Sequence, residues 1–147
     1  MAMKEWRQVS NQLTDISHTA SGTMERGGIA TIATWTNGLC YYAAGSGGPV
    51  AGLLLEDIEA LNFMNHPQYM QRNVSPQGSV VGLATEGEFW TDMYDNATYS
   101  AGDTIYLGAN GKVTNDAGDA ASDRVTIGKC IAGKDAHNFI KIRLELT

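Results

Sequence analysis

Toward the end of the chain, Ile140, Ile142, Leu144 and Leu146 alternate with Lys141, Arg143 and Glu145. Successive strand side chains point to opposite faces, so this alternation predicts a strand with one core face and one wet face. A strand over Arg124–Gly133 precedes it. Further upstream, "AGDTIYLGANGKVTND" (Ala101–Asp116) reads as two strands about Asn110-Gly111. Both turn residues accept positive φ, which a tight type I′ hairpin requires. The same dipeptide, at Asn37-Gly38, separates apolar runs at Ile29–Trp35 and Leu39–Ala43 and predicts a second hairpin. Ser79–Thr85 and Glu88–Met93 suggest a third, turning at Glu86-Gly87.

Two stretches are less regular. Val50–Leu55 is a short continuous apolar run, as in a buried strand. Leu54, Ile58 and Leu61 also fit helical spacing, so the strand is expected to end in a short helical turn near Asp57–Asn62. Pro67 and Pro76 frame a polar segment that reads as a surface crossing. Residues 1–25 are mixed and aperiodic. They are expected to form an extended N-terminal arm leaving the domain, with residues 26–147 as a single β domain. The expected fold is all-β: a compact barrel or sandwich of eight to nine short antiparallel strands.

Composition agrees with that class. The 147 residues suffice for one domain with its own core, and 17 glycines suit many tight turns. A net charge of −6 disfavours a phosphate backbone as partner. The N-terminus lacks an apolar signal core, and no run approaches the ~18 apolar residues of a membrane span. A protein made in the cytoplasm, partnering neither nucleic acid nor membrane, is expected. Cys40 and Cys130 lie in apolar strand-like runs and are expected to be buried free thiols.

The search for chemistry returns little. "AGSGGP" lacks the Gly-Lys-Ser/Thr ending of a phosphate loop. His18, His66 and His137 are isolated, with no ligand spacing, so no metal site is expected. Glu86, Glu88, Asp92 and Asp95 lie near Trp90 and Tyr94, which invites a sugar-cleaving carboxylate pair. Acids solvated around a turn are the plainer expectation. Asp116, Asp119 and Asp123 do not follow a calcium-loop scheme. No nucleophile, base and orienting acid come together. The expectation is a protein that is not an enzyme and needs no cofactor, with its function in its surfaces.

Five blocks run in a fixed order: "ERGGIATIAT", "GPVAGLLLEDIE", "QGSVVGLATEGEFWTD", "AGDTIYLGANGKVTND" and "IGKCIAGKDAHNFIKIRLEL". In order and spacing they resemble a group of small capsid decoration (cement) proteins of tailed bacteriophages. The similarity spans most of Glu25–Leu146. It implies a virion protein on the outer surface of the expanded icosahedral head, assembled in the bacterial host cytoplasm. Its partners would be the major capsid protein and itself, as a dimer or trimer on capsid symmetry axes. Exposed aromatic, Met and basic residues of the irregular segments would then supply the capsid or oligomer interface: Trp6, Arg7, His66, Tyr69, Met70 and Arg72. The competing expectation is a carbohydrate-binding or host-adhesion module of a head fibre or tail, stacking sugars on Trp35, Tyr41, Tyr42, Trp90 and Tyr94.

Overall fold

The structure, a computed structural model, describes residues 3–5, 13–20, 23–32, 39–42, 49–59, 74–76, 80–95, 97–118 and 124–146. Among them are twelve strands and no helix: β1 (Met3–Glu5), β2 (Leu13–Ala20), β3 (Ile29–Ile32), β4 (Leu39–Tyr42), β5 (Val50–Leu54), β6 (Asp57–Glu59), β7 (Val74–Pro76), β8 (Val80–Thr91), β9 (Thr104–Leu107), β10 (Val113–Thr114), β11 (Thr126–Ala132) and β12 (Ile140–Glu145).

Seven of these strands form a nearly closed barrel in the order β10-β9-β11-β12-β8-β5-β3, antiparallel at every pairing. The gap is bridged where the Ile29 N–H donates to the Gly111 carbonyl at 2.8 Å. Inside lie Ile29, Leu53, Phe89, Ile105, Leu107, Val113, Ile127, Ile140, Ile142 and Leu144, all essentially inaccessible to solvent. The alternation of β12 is realised: Ile140, Ile142 and Leu144 face inward, while Arg143 and Glu145 are exposed. Burial of these side chains is the main favourable term, each contributing roughly 1.5–3 kcal/mol.

A second, smaller ring shares one wall with the barrel. β8 also pairs with β2, β2 runs parallel to β4, and β4 pairs with β3, which returns through β5 to β8. The shared wall is therefore buried on both faces. Ile29, Leu53 and Ala84 look into the barrel; Ala30, Leu54 and Leu83 belong to a second core with Met24, Ile32, Ala51 and Ile58. This explains the unbroken apolar run of β5, which no one-sided strand needs.

Three expectations are corrected. Glu86-Gly87 is not a turn: the chain runs through it as one 12-residue strand, β8. The strand instead changes partner there, pairing with β5 at Leu83 and Ala84 and with β12 from Glu86 to Thr91. Gly87 is buried with φ 135, and such a backbone bend is open to glycine and strained for other residues. Residues 57–59 are a strand, β6, not the start of a helical turn. Met24 and Ile58 exchange backbone hydrogen bonds at 3.0 and 2.8 Å, and this pairing with the buried Ile58 outweighs a helical spacing of three residues. The described parts of the N-terminal arm are extended, but they do not leave the domain. β1 and β2 pair along β8, on the edge opposite β12 and β5.

The Asn110-Gly111 hairpin forms as expected, with φ 56 and 73 at its two central residues. β3 and β4 pair antiparallel, while the Asn37-Gly38 turn between them lies outside the described residues.

Candidate interaction surface

The acids of "TEGEFWTDMYD" are dispersed by β8 and the segment after it. Glu88, on the outer face, accepts from the Arg143 guanidinium at 2.6 and 3.1 Å and lies 2.9 Å from the Lys141 ammonium. Hydrogen bonds from Arg143 and Lys141 hold its carboxyl below the usual carboxylate range, against the opposing pull of burial. A general acid needs a raised pKa, so Glu88 is built as a cross-strand clamp, not as a proton donor. Asp92 is exposed.

Asp95 sits where the chain leaves the barrel wall. Its carboxylate accepts from the Tyr99 phenol, the Thr114 hydroxyl and the Ala97 N–H. Burial raises its pKa, but these donors and the Arg124 charge more than offset that, leaving it lowered. It is a latch between the 95–99 segment and β10. The expectation of acids solvated around a turn fails for Glu88 and Asp95, because the turn is absent and both are engaged by neighbours.

The aromatic residues do not share one open stacking platform among those described. Trp90 is half-buried, opposite Lys141 in register. Tyr94 packs edge-on to Tyr99 with centroids 5.3 Å apart, carries Lys134 over its ring at 5.0 Å, and donates its hydroxyl to the Asn138 carbonyl at 2.8 Å. Trp35 lies outside the described residues, and of Tyr41 and Tyr42 only the backbone is described.

Cys130 is a free, buried thiol. Burial pushes its pKa up, which makes it a poor nucleophile. His137 is exposed, and its N–H donates to Asp135. No group of three or more metal-ligating side chains occurs among the described residues. The sequence-derived interface candidates Trp6, Arg7, His66, Tyr69, Met70 and Arg72 all lie outside the described residues, as do Asp119 and Asp123.

No family model and no curated protein matches the chain. Its fold is nonetheless shared with structural proteins of phage particles. One is the head fiber gp8.5 N base of bacteriophage phi29, with a TM-score of 0.53 at 8% identity over 93% of this chain and 95% of that one. Another is a chain of the capsid of Myoviridae phage XM1, with a TM-score of 0.58 at 13% identity over 95% of this chain and 86% of that one. At these identities what is shared is the fold, and it extends over nearly the whole length of each.

Proposed function

We propose that the chain is a non-enzymatic capsid decoration (cement) protein of a tailed bacteriophage. It binds the outer surface of the expanded head and bridges neighbouring major capsid protein subunits. The observation that carries this reading is the fold likeness, over 93% and 95% of the chain, to a head-fibre base and a capsid chain. The ordered sequence blocks support it independently.

The physical argument is mechanical. Packaged DNA loads the seams between capsid subunits, and a rigid block bound across a seam adds buried area there. Area alone does not set affinity. Many copies on one lattice act together, so modest contacts per copy sum to a large effect on the shell. A nearly closed antiparallel barrel leaves few free edges, which limits edge-to-edge aggregation of a protein made in many copies.

The test is co-sedimentation of the purified chain with expanded capsids that lack it. Binding that saturates at a fixed number of copies per shell, with later loss of shell integrity on heating, is expected. A chain that stays in the supernatant at every concentration overturns the reading.

A second reading, the base of a head fibre with a role in host adhesion, is favoured by the likeness to the phi29 head-fibre base. Glycan binding that is lost in Trp90→Ala, on a chain that still folds, would select it over the cement role.

A further inference from the structure

The outer face of β8, β12 and β11 carries two like-charge pairs. Glu145 stands directly opposite Glu86, and Lys129 directly opposite Arg143. Opposed residues in a sheet have Cβ atoms about 4.5–5.5 Å apart, where like charges destabilise the pairing. The side chains of Glu86, Glu145 and Lys129 make no ion pair or hydrogen bond among the described residues. Arg143 is the one of the four that is engaged, through Glu88.

The charges are ordered along the strands. Toward one end Lys129 and Arg143 are exposed, while Lys141 and Glu88, with only 12% and 13% of their side chains accessible, are paired to each other: net two positive. Toward the other end are two acids, Glu86 and Glu145: net two negative. The half-buried Trp90 sits at the positive end, opposite Lys141. It offers the aromatic area that interface centres favour.

A uniformly acidic partner would relieve the lysine–arginine pair and worsen the glutamate pair; a uniformly basic one would do the reverse. A surface with opposite charge at each end relieves both. A second copy of this face, turned end for end, is such a surface. We propose that the β8–β12–β11 outer face is a two-fold self-association surface. Two copies pack sheet to sheet with strands reversed, so Arg143 and Lys129 of each copy approach Glu145 and Glu86 of the other. A two-fold contact uses each pairing twice. Aligned sheets cross at about −30°, within reach of side chains as long as Lys, Arg and Glu. The net charge of −6 opposes association at long range, but the Debye length of about 8 Å at physiological salt leaves short-range pairing dominant. This inference does not rest on the cement reading, and its failure would leave that reading in place.

The test is native mass by light scattering on the full chain, with circular dichroism to confirm folding. A dimer at physiological salt that weakens toward molar salt is expected. Glu145→Lys and Lys129→Glu alter exposed side chains, so both variants should fold. Each alone is expected to raise the dimer dissociation constant at least tenfold. Mixing the two in equal amounts is expected to restore the dimer, because opposite charges meet again in the mixed pair. A wild-type monomer at all concentrations, a trimer, a dimer indifferent to both substitutions, or a mixture that does not recover would each overturn the proposal. A monomer whose capsid binding is lost in these variants would assign the face to the capsid protein instead.

Discussion

The Tyr99 phenol donates to one carboxylate oxygen of Asp95 at 2.5 Å, while the Thr114 hydroxyl donates to the other at 2.5 Å. The two donors come from different segments. Tyr99 lies in the loop before β9, and Thr114 ends β10. Both are buried. The same loop is held further by the Asp95 N–H donating to the Val113 carbonyl at 3.1 Å. Burial and the adjacent carboxylate push the Tyr99 pKa up, which favours the protonated phenol that donates here.

Asp95→Ala strands two buried hydroxyls, and hydrogen bonds to a charged group contribute about 1.5–3 kcal/mol each. A loss of about 2–4 kcal/mol is expected in urea unfolding, after some relaxation of the loop. Asp95→Asn should cost less, since its amide oxygen still accepts one hydrogen bond. Equal stability of Asp95→Ala and the parent would refute the latch.

The pH dependence of the latch follows from the direction of the shift. Asp95 has a folded pKa below its unfolded value, so it binds fewer protons when folded. Its contribution is complete at neutral pH, begins to fall below about pH 4, and is lost as pH drops through the lower folded value. Glu88 is shifted the same way and adds to the acid loss. Asp95→Ala should therefore show a flatter stability profile between neutral pH and about pH 3 than the parent. Parallel profiles would contradict this.

Glu88 itself is expected to matter less. Its Arg143 partner is about half exposed, with 48% of the side chain accessible, but Lys141 and Glu88 themselves keep only 12% and 13%. Solvent screens the Arg143 pair, while the covered Lys141 loses its partner, so Glu88→Gln should cost about 1–2 kcal/mol, of which only the Arg143 part shrinks at high salt. A loss several times larger would mean that the clamp carries the β8–β12 junction.

At Gly128, β11 passes unusually close to β12. A Cβ placed there would lie 1.8 Å from the Arg143 carbonyl oxygen and 3.3 Å from the Leu144 Cα, both backbone atoms. No rotamer change relieves such a clash, so the strands must part. Gly128→Ala is expected to cost about 3 kcal/mol, the upper part of the usual overpacking range. Thermal melting would show it as a large fall in midpoint. A near-neutral result would mean that β11 can bulge freely there.

What could be read from sequence was what local chemistry decides. Asn110-Gly111 fixes its turn by backbone preference, and Ile140, Ile142 and Leu144 declare their face by alternation; both hold in the fold. Glu86-Gly87 misleads because a glycine in a turn and a glycine in a strand that changes partner look alike in sequence. Only the pairing of β8 first with β5 and then with β12 separates them. The spacing of Leu54, Ile58 and Leu61 suggests a helix, yet the backbone partner of Ile58, Met24, is distant in sequence. β2, "LTDISHTA", lacks an apolar alternation because its place is set by backbone pairing to β8 and β4. The opposition of Glu86 to Glu145 could not be read at all, since it exists only once the register is known.

The position of β2 also decides what shortening the chain should do. An arm that left the domain could be removed through residue 20 without harm. In the fold, β2 pairs with β8 from Leu13 to Thr19 and with β4 at Thr19 and Ala20. It is the strand that closes the smaller ring, and Ala30, Leu54 and Leu83 lie in the core that the ring surrounds. Deletion of residues 1–12 removes β1, a three-residue strand on the edge of β8, and should leave the melting midpoint within a few degrees of the parent. Deletion of residues 1–20 opens the ring, leaves β4 without a strand on one side, and exposes the second core to water. That variant should melt well below the shorter deletion and bind hydrophobic dyes. Because the seven-stranded barrel does not include β2, its near-ultraviolet signal from Tyr94 and Tyr99 should persist below that transition. Equal melting of the two deletions would return residues 13–20 to the role of a dispensable arm.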